Sequence, residues 1–136
     1  METIERIVLI DDNEVTNFYN QDLLLAMQPA WTIITFTSPQ EALAYFQTQA
    51  AMRTRPRTLV FLDIRMPGSS GYDLLRDLED LDMADDPRLT FCMLTSSTLV
   101  RDQEELHKFP LIRQYIEKPL NEDKVRRVLE QIPVKK

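Results

Sequence analysis

The 136-residue chain has one cysteine, one histidine, one tryptophan and two glycines. The lone thiol, Cys92, excludes a disulfide framework. It lies inside the apolar run Leu89-Thr90-Phe91-Cys92-Met93-Leu94, so it reads as a buried, inert group. This usage fits a reducing compartment, and a cytoplasmic location is expected. The lone histidine, His107, lacks the context that a metal or phosphohistidine role needs and reads as a surface helix residue. No apolar run approaches the ~18 residues of a membrane span, and the acidic opening Met1-Glu2-Thr3-Ile4-Glu5-Arg6 does not resemble a signal peptide. Positive charge is in the minority, with 16 Lys and Arg against 22 Asp and Glu. The resulting net charge of −6 disfavours non-specific binding to nucleic acid or to an anionic membrane. Both glycines, Gly68 and Gly71, fall within eight residues of Asp63. A glycine-rich nucleotide loop after the first apolar run is therefore missing.

What is present is a repeated alternation of strand-like and helix-like segments. Arg6 to Asp11 reads as a buried first strand. Asn13 is placed to cap a helix over residues 14 to 27. In that helix Val15, Tyr19, Leu23 and Ala26 share one face by helical spacing, the expected buried stripe. Phe18 and Leu25 lie off it and read either as an exposed docking patch for a partner helix or as ordinary core. Trp31 to Phe36 is a β-branched and aromatic second strand. Ser38-Pro39-Gln40-Glu41 is a capping-box sequence opening a helix to about Ala51. Arg53 to Arg57 reads as a polar linker into a third strand over 58 to 63. A third helix spans about Ser70 to Asp80, a fourth strand Leu89 to Thr95, a fourth helix about Leu99 to Lys108, and a fifth strand Ile112 to Glu117. Asn121 caps a last helix carrying Val125, Val128, Leu129 and Ile132. Successive βα units imply a parallel sheet with helices on both faces. The acidic cluster Asp77, Glu79, Asp80, Asp82, Asp85 and Asp86 has no calcium-loop spacing and reads as a solvated loop.

The polar residues gather at the strand ends. The first strand ends in Asp11-Asp12, the third in Asp63, the fourth in Thr95-Ser96-Ser97, and the fifth runs into Lys118-Pro119. In a doubly wound sheet of order 2-1-3-4-5 the first and third strands are neighbours at the switch point, where such folds hold ligands. That brings three carboxylates together. Two unit charges about 4 Å apart repel by roughly 4 kcal/mol at an effective dielectric near 20, so a proton or a cation must compensate. An oxygen-only donor set with open positions suits Mg²⁺. A lysine and a hydroxyl opposite complete a set suited to phosphoryl transfer onto an aspartate.

Over essentially its whole length the chain resembles the response-regulator receiver domains of two-component signalling. The resemblance rests on Leu9-Ile10-Asp11-Asp12, Leu62-Asp63-Ile64-Arg65-Met66-Pro67-Gly68, Met93-Leu94-Thr95-Ser96 and Tyr115-Ile116-Glu117-Lys118-Pro119, four elements in order at the right strand ends. It implies a flavodoxin-like fold, Asp63 as phospho-acceptor, and Mg²⁺ held directly by Asp12 and Asp63, through water by Asp11, and by the backbone carbonyl of Arg65. It implies that Thr95 and Lys118 bind the phosphoryl group, that Tyr115 is an aromatic switch, and that Lys118-Pro119 is a cis peptide. Ser96 departs from the family's usual alanine. Arg65 and Ser97 occupy positions that tune phosphate lifetime, and a long Arg65 side chain is placed to cover the phosphoryl group.

The expected function is therefore a signalling switch and not an enzyme, although it promotes its own aspartyl phosphorylation and dephosphorylation. The phosphoryl donor would be a histidine kinase or a histidine phosphotransfer protein. The downstream target would dock on the fourth helix, fifth strand and last helix. Residues 1–136 form one receiver domain, and a stand-alone type without an output domain is expected. A phosphorylation-independent interaction module on the same fold stays open. An aspartyl-nucleophile phosphatase is disfavoured, because haloacid-dehalogenase-like enzymes carry a second aspartate where this chain has Arg65.

Overall fold

Leu59 to Leu62 are apolar without interruption, and a strand with no polar face needs cover on both sides. The computed structural model describes residues 3–52, 55–63, 71–81, 86–95 and 112–132, and it places this segment as the central strand. The elements are β1 (Arg6–Ile10), α1 (Glu14–Met27), β2 (Thr32–Phe36), α2 (Pro39–Ala50), β3 (Thr58–Asp63), α3 (Gly71–Glu79), β4 (Leu89–Thr95), β5 (Ile112–Glu117) and α4 (Glu122–Gln131). The strands form one sheet in the order β2-β1-β3-β4-β5, all parallel. This is the doubly wound architecture the sequence predicts. The helix expected over 99–108 lies outside the described residues, as do His107, Ser96, Ser97 and Arg65.

Period-two alternation divides the strand residues between two cores. Val8, Ile10, Val60, Leu62, Phe91 and Met93 pack with Ala42 and Phe46 of α2 and Leu74, Leu75 and Leu78 of α3. Ile7, Leu9, Leu59, Phe61, Cys92 and Leu94 pack with Leu24 of α1 and Val125 and Val128 of α4. Each fully buried Leu, Val or Phe contributes roughly 1.5–3 kcal/mol, so the sheet is held from both faces. Cys92 is buried as expected, and burial pushes its thiol up to about 12.

The caps lie where the sequence puts them. Asn13 Oδ1 accepts from the N–H groups of Val15 and Thr16 at 2.9 and 3.2 Å, and Asn121 Oδ1 from that of Lys124 at 2.9 Å. Ser38 Oγ accepts from the Glu41 N–H at 3.4 Å, while its own hydroxyl donates to Gln40 Oε1.

Three expectations need correction. The buried face of α1 is Asn17, Asn20 and Leu24, not the stripe of Val15, Tyr19, Leu23 and Ala26. Val15, Phe18 and Tyr19 are exposed, at 76%, 67% and 62%, and Leu25 is half-buried. The helix is rotated so that Asn17 supplies hydrogen bonds to strand-end carbonyls, a demand that apolar periodicity does not register. The polar linker before β3 packs against the domain at its described end. Arg57 is buried, Arg55 reaches the Gln49 carbonyl, and Arg88 reaches the Arg55 carbonyl. Asp86 does not belong to a solvated acidic loop, because its side chain is only 6% exposed and pairs with Arg55 at 2.7 Å. The arginines draw this acid inward. Small boundary differences follow from pairing: β1 stops at Ile10 and β2 starts at Thr32, the last and first residues with a register partner.

Candidate functional site

The sheet register puts the polar strand ends on one rim. Ile10 pairs with Leu62 across β1 and β3, so Asp11 and Asp63 lie level, one residue further on. Asp63 pairs with Leu94, which sets Thr95 one step beyond. Thr95 pairs with Glu117, and the Lys118 N–H donates to the Thr95 carbonyl at 2.8 Å. Backbone pairing alone thus converges five side chains drawn from four chain segments.

Asp11, Asp12 and Asp63 each offer a carboxylate oxygen, and the three atoms lie within 4.8 Å of one another. Among the described residues this is the one such group of acids. Asp11 and Asp63 are buried and Asp12 is exposed. Asp11 Oδ1 accepts from the Asn13 N–H at 3.0 Å. Its Oδ2 accepts from the Lys118 ammonium at 3.0 Å, and the same ammonium lies 3.2 Å from Asp63. Burial at the rim pulls Lys118 down, but its bonds to Asp11 and Asp63 outweigh this and hold it above the usual lysine range.

The donor chemistry fits a hard divalent cation. All three acids are oxygen ligands, the group opens to solvent at Asp12, and one ammonium is a poor match for three converging carboxylates. Asp11, Asp12 and Asp63 each present a carboxylate oxygen that could ligate such an ion. Arg65, whose carbonyl was expected to complete the set, lies outside the described residues.

The remaining expected residues lie on β4, on β5 and in the turn that follows β5. Thr95 is buried at the tip of β4. The Lys118–Pro119 peptide bond is cis. Tyr115 is half-buried on β5, where it packs against the Val8–Phe91 core, and burial raises its phenol.

Two functional features escape the sequence reading. Lys124 of α4 donates to the carbonyls of Glu117 and Pro119 at 2.7 and 2.9 Å, clasping the turn that carries Lys118. A crevice of about 350 Å³ runs between α1 and that turn, lined by Val15, Thr16, Tyr19, Asn20, Lys118 and Pro119 among others. A lysine six residues after another gives no pattern to read, and the crevice depends on the rotation of α1.

The family model "Response regulator receiver domain" matches residues 7–130. A two-component response regulator from Cytophaga hutchinsonii is 25% identical, with a TM-score of 0.82 and coverage of 96% of this chain and 98% of the other. A response regulator receiver protein from Dyadobacter fermentans is 26% identical, with a TM-score of 0.80 and coverage of 93% and 96%. The chemotaxis protein CheY4 of Vibrio cholerae shares the fold at 18% identity, with a TM-score of 0.77 and coverage of 96% and 100%. No curated protein matches the chain.

Proposed function

The chain belongs to the response regulator receiver domain family, and from that premise we propose that it is a phospho-accepting switch with Asp63 as acceptor. The observation that carries this reading is the convergence of Asp11, Asp12 and Asp63 within 4.8 Å beneath the Lys118 ammonium. A carboxylate oxygen of Asp63 attacks the phosphorus of a phosphohistidine. The O–P bond forms as the P–N bond breaks, and the imidazole leaves.

Such transfer needs positioning and charge neutralisation more than covalent help. Lys118 follows the incoming oxygens as a point charge, and the Thr95 hydroxyl donates to them. When bound, Mg²⁺ would supply further neutralisation; Asp12 and Asp63 would hold it with Asp11 beside them, and the family resemblance adds the Arg65 carbonyl. The new group adds about −1.5 to −2 charge at neutral pH. Drawing Thr95 and Lys118 toward it shifts β4, the segment after it and Tyr115 between two populations.

Two surfaces suit the partners. The exposed Val15, Phe18 and Tyr19 flank the crevice beside Lys118 and suit the apolar face of a phosphohistidine-bearing helix from a histidine kinase or phosphotransfer protein. A groove of about 500 Å³ between β5 and α4, lined by Tyr115, Glu117, Lys124 and Arg127 among others, together with the segment over 99–108, suits a downstream target. Among the described residues no helix is long and apolar enough to cross a membrane.

The deciding experiment is intact-mass measurement after incubation with phosphoramidate and Mg²⁺. One added phosphoryl group per chain is expected in the wild type and none in Asp63→Asn. Equal labelling of both proteins would overturn the reading.

A further inference from the structure

Asn17 lies on the sheet-facing side of α1, only 3% exposed, where an amphipathic helix ordinarily carries an apolar residue. Its Nδ2 donates to the carbonyl of Asp11 at 3.0 Å and to that of Phe36 at 3.2 Å. The orientation of the amide follows from chemistry: both partners are acceptors, so only the NH₂ end can face them. The Asp11 N–H donates to the same Phe36 carbonyl at 3.1 Å. Meanwhile Asn17 Oδ1 is buried with no hydrogen-bond partner among the described residues. A buried amide with one end unsatisfied is a poor choice for packing alone, so its two donated bonds are the reason for its presence.

The Asp11 carbonyl belongs to the peptide joining Asp11 to Asp12. Asp11 has side-chain restraints of its own, from the Asn13 N–H and the Lys118 ammonium. Asp12 has no hydrogen bond among the described residues, yet its carboxylate converges with the other two. The plane of the Asp11–Asp12 peptide therefore sets where Asp12 points. We propose that Asn17 is a positioning residue for the acid cluster, which by pinning this peptide to the end of β2 aims the Asp12 carboxylate at the cation. The proposal rests on the metal-site reading given above. Residues that orient metal ligands at one remove commonly change affinity by about 10–100-fold.

The test uses Asn17→Leu and Asn17→Ala, with Leu24→Ala as control. Leu24 is another residue on the same buried face and its side chain makes none of these bonds. In metal-free protein, exchange of the Asp11 N–H, which shares the Phe36 carbonyl with Asn17, is expected to rise at least tenfold in the Asn17 variants relative to Val8 and Leu9. By calorimetric Mg²⁺ titration, affinity is expected to fall about 10–100-fold, while Leu24→Ala stays within twofold of wild type. Asn17→Ala decides the matter even where leucine does not fit. Unchanged exchange at Asp11, Mg²⁺ affinity within twofold of wild type, or an equal loss in Leu24→Ala would each overturn the proposal. Failure of the wild type to bind Mg²⁺ would strike the metal-site reading itself, and the exchange measurement would still decide whether Asn17 braces this junction against the end of β2.

Discussion

The Lys118 ammonium lies 3.2 Å from the Asp63 carboxylate while holding Asp11 at 3.0 Å. One cation thus spans two acids of the cluster, where a bound metal would compete with it for the carboxylates and the oxygens of a phosphoryl group would compete with the carboxylates for it. The resting site is an ion-paired network in which two of the three acids share one cation.

Removing Lys118 should therefore destabilise the metal-free protein. Lys118→Met takes from the two buried carboxylates of Asp11 and Asp63 the cation they share. The Lys118 side chain is 26% exposed, which reduces the loss below the ~3–5 kcal/mol of a fully buried broken pair to about 1–3 kcal/mol. Urea unfolding should show this deficit without Mg²⁺ and a smaller one with it, since a ligand that binds only the folded state stabilises it. The pH dependence has a definite sign. The folded pKa of Lys118 is raised above 10.5, so its contribution is complete below pH 10.5 and is lost as pH rises through the higher folded value. The gap between wild type and Lys118→Met should be flat from neutral pH to about 10 and close above it. A gap that widens with alkalinity would contradict the assignment.

Cys92 offers a second alkaline probe, inside the core between the sheet, α1 and α4. Burial pushes its thiol from 9.0 to about 12. Below pH 9 both folded and unfolded chains carry the neutral thiol. Between 9 and 12 only the unfolded chain ionises, so folding stability falls with rising pH across that window. The native thiol should resist aromatic disulfide reagents at pH 8 and react only at the rate of unfolding. Cys92→Ala should remove part of the alkaline slope. Rapid stoichiometric labelling of the folded protein would refute the burial argument.

The pair Arg55–Asp86, at 2.7 Å with Asp86 6% exposed, ties the approach to β3 to the approach to β4 at the pole opposite Asp63. Asp86→Ala leaves the Arg55 guanidinium without its counter-ion and removes the acceptor of the Arg88 N–H. A loss of about 2–4 kcal/mol is expected from urea unfolding. Phosphorylation by phosphoramidate at saturating Mg²⁺ should stay within twofold of wild type, because no group at the acid cluster is touched. A large change in labelling with unchanged stability would reverse this division of roles.

These residues also mark what can be read without coordinates. β3 was legible because a continuous apolar run has one solution in a parallel sheet, Asp63 and Asp11 because each sits where such a run stops, and Lys118 because it opens the turn after the fifth strand. The rotation of α1 was not. Val15, Tyr19, Leu23 and Ala26 have the spacing of a buried stripe, but a pattern of side-chain polarity takes no account of strand-end carbonyls that need donors. Asn17 meets that need, and the helix turns its aromatic residues outward as a result. Asp86 and Arg57 mislead for the same reason: charge in a sequence reads as solvent-facing until a partner elsewhere in the chain draws it in.

That outward turn of α1 leads to a last prediction. Phe18 and Tyr19 are 67% and 62% exposed, so replacing them removes little buried area. Phe18→Ser and Tyr19→Ser should each change stability by no more than about 0.5 kcal/mol. Phosphoramidate meets no protein surface, and labelling by it should stay within twofold of wild type. A phosphohistidine protein that labels the wild-type chain must dock beside Lys118, where Tyr19 lines the crevice. Aromatic anchors at the centre of an interface commonly contribute about 2 kcal/mol or more, and each 1.4 kcal/mol is tenfold in affinity. Transfer from such a donor, measured below saturation, should slow at least tenfold in either variant. Equal slowing with phosphoramidate would mean that these residues act on the acid cluster itself. Unchanged transfer from the protein donor would move the docking surface away from α1.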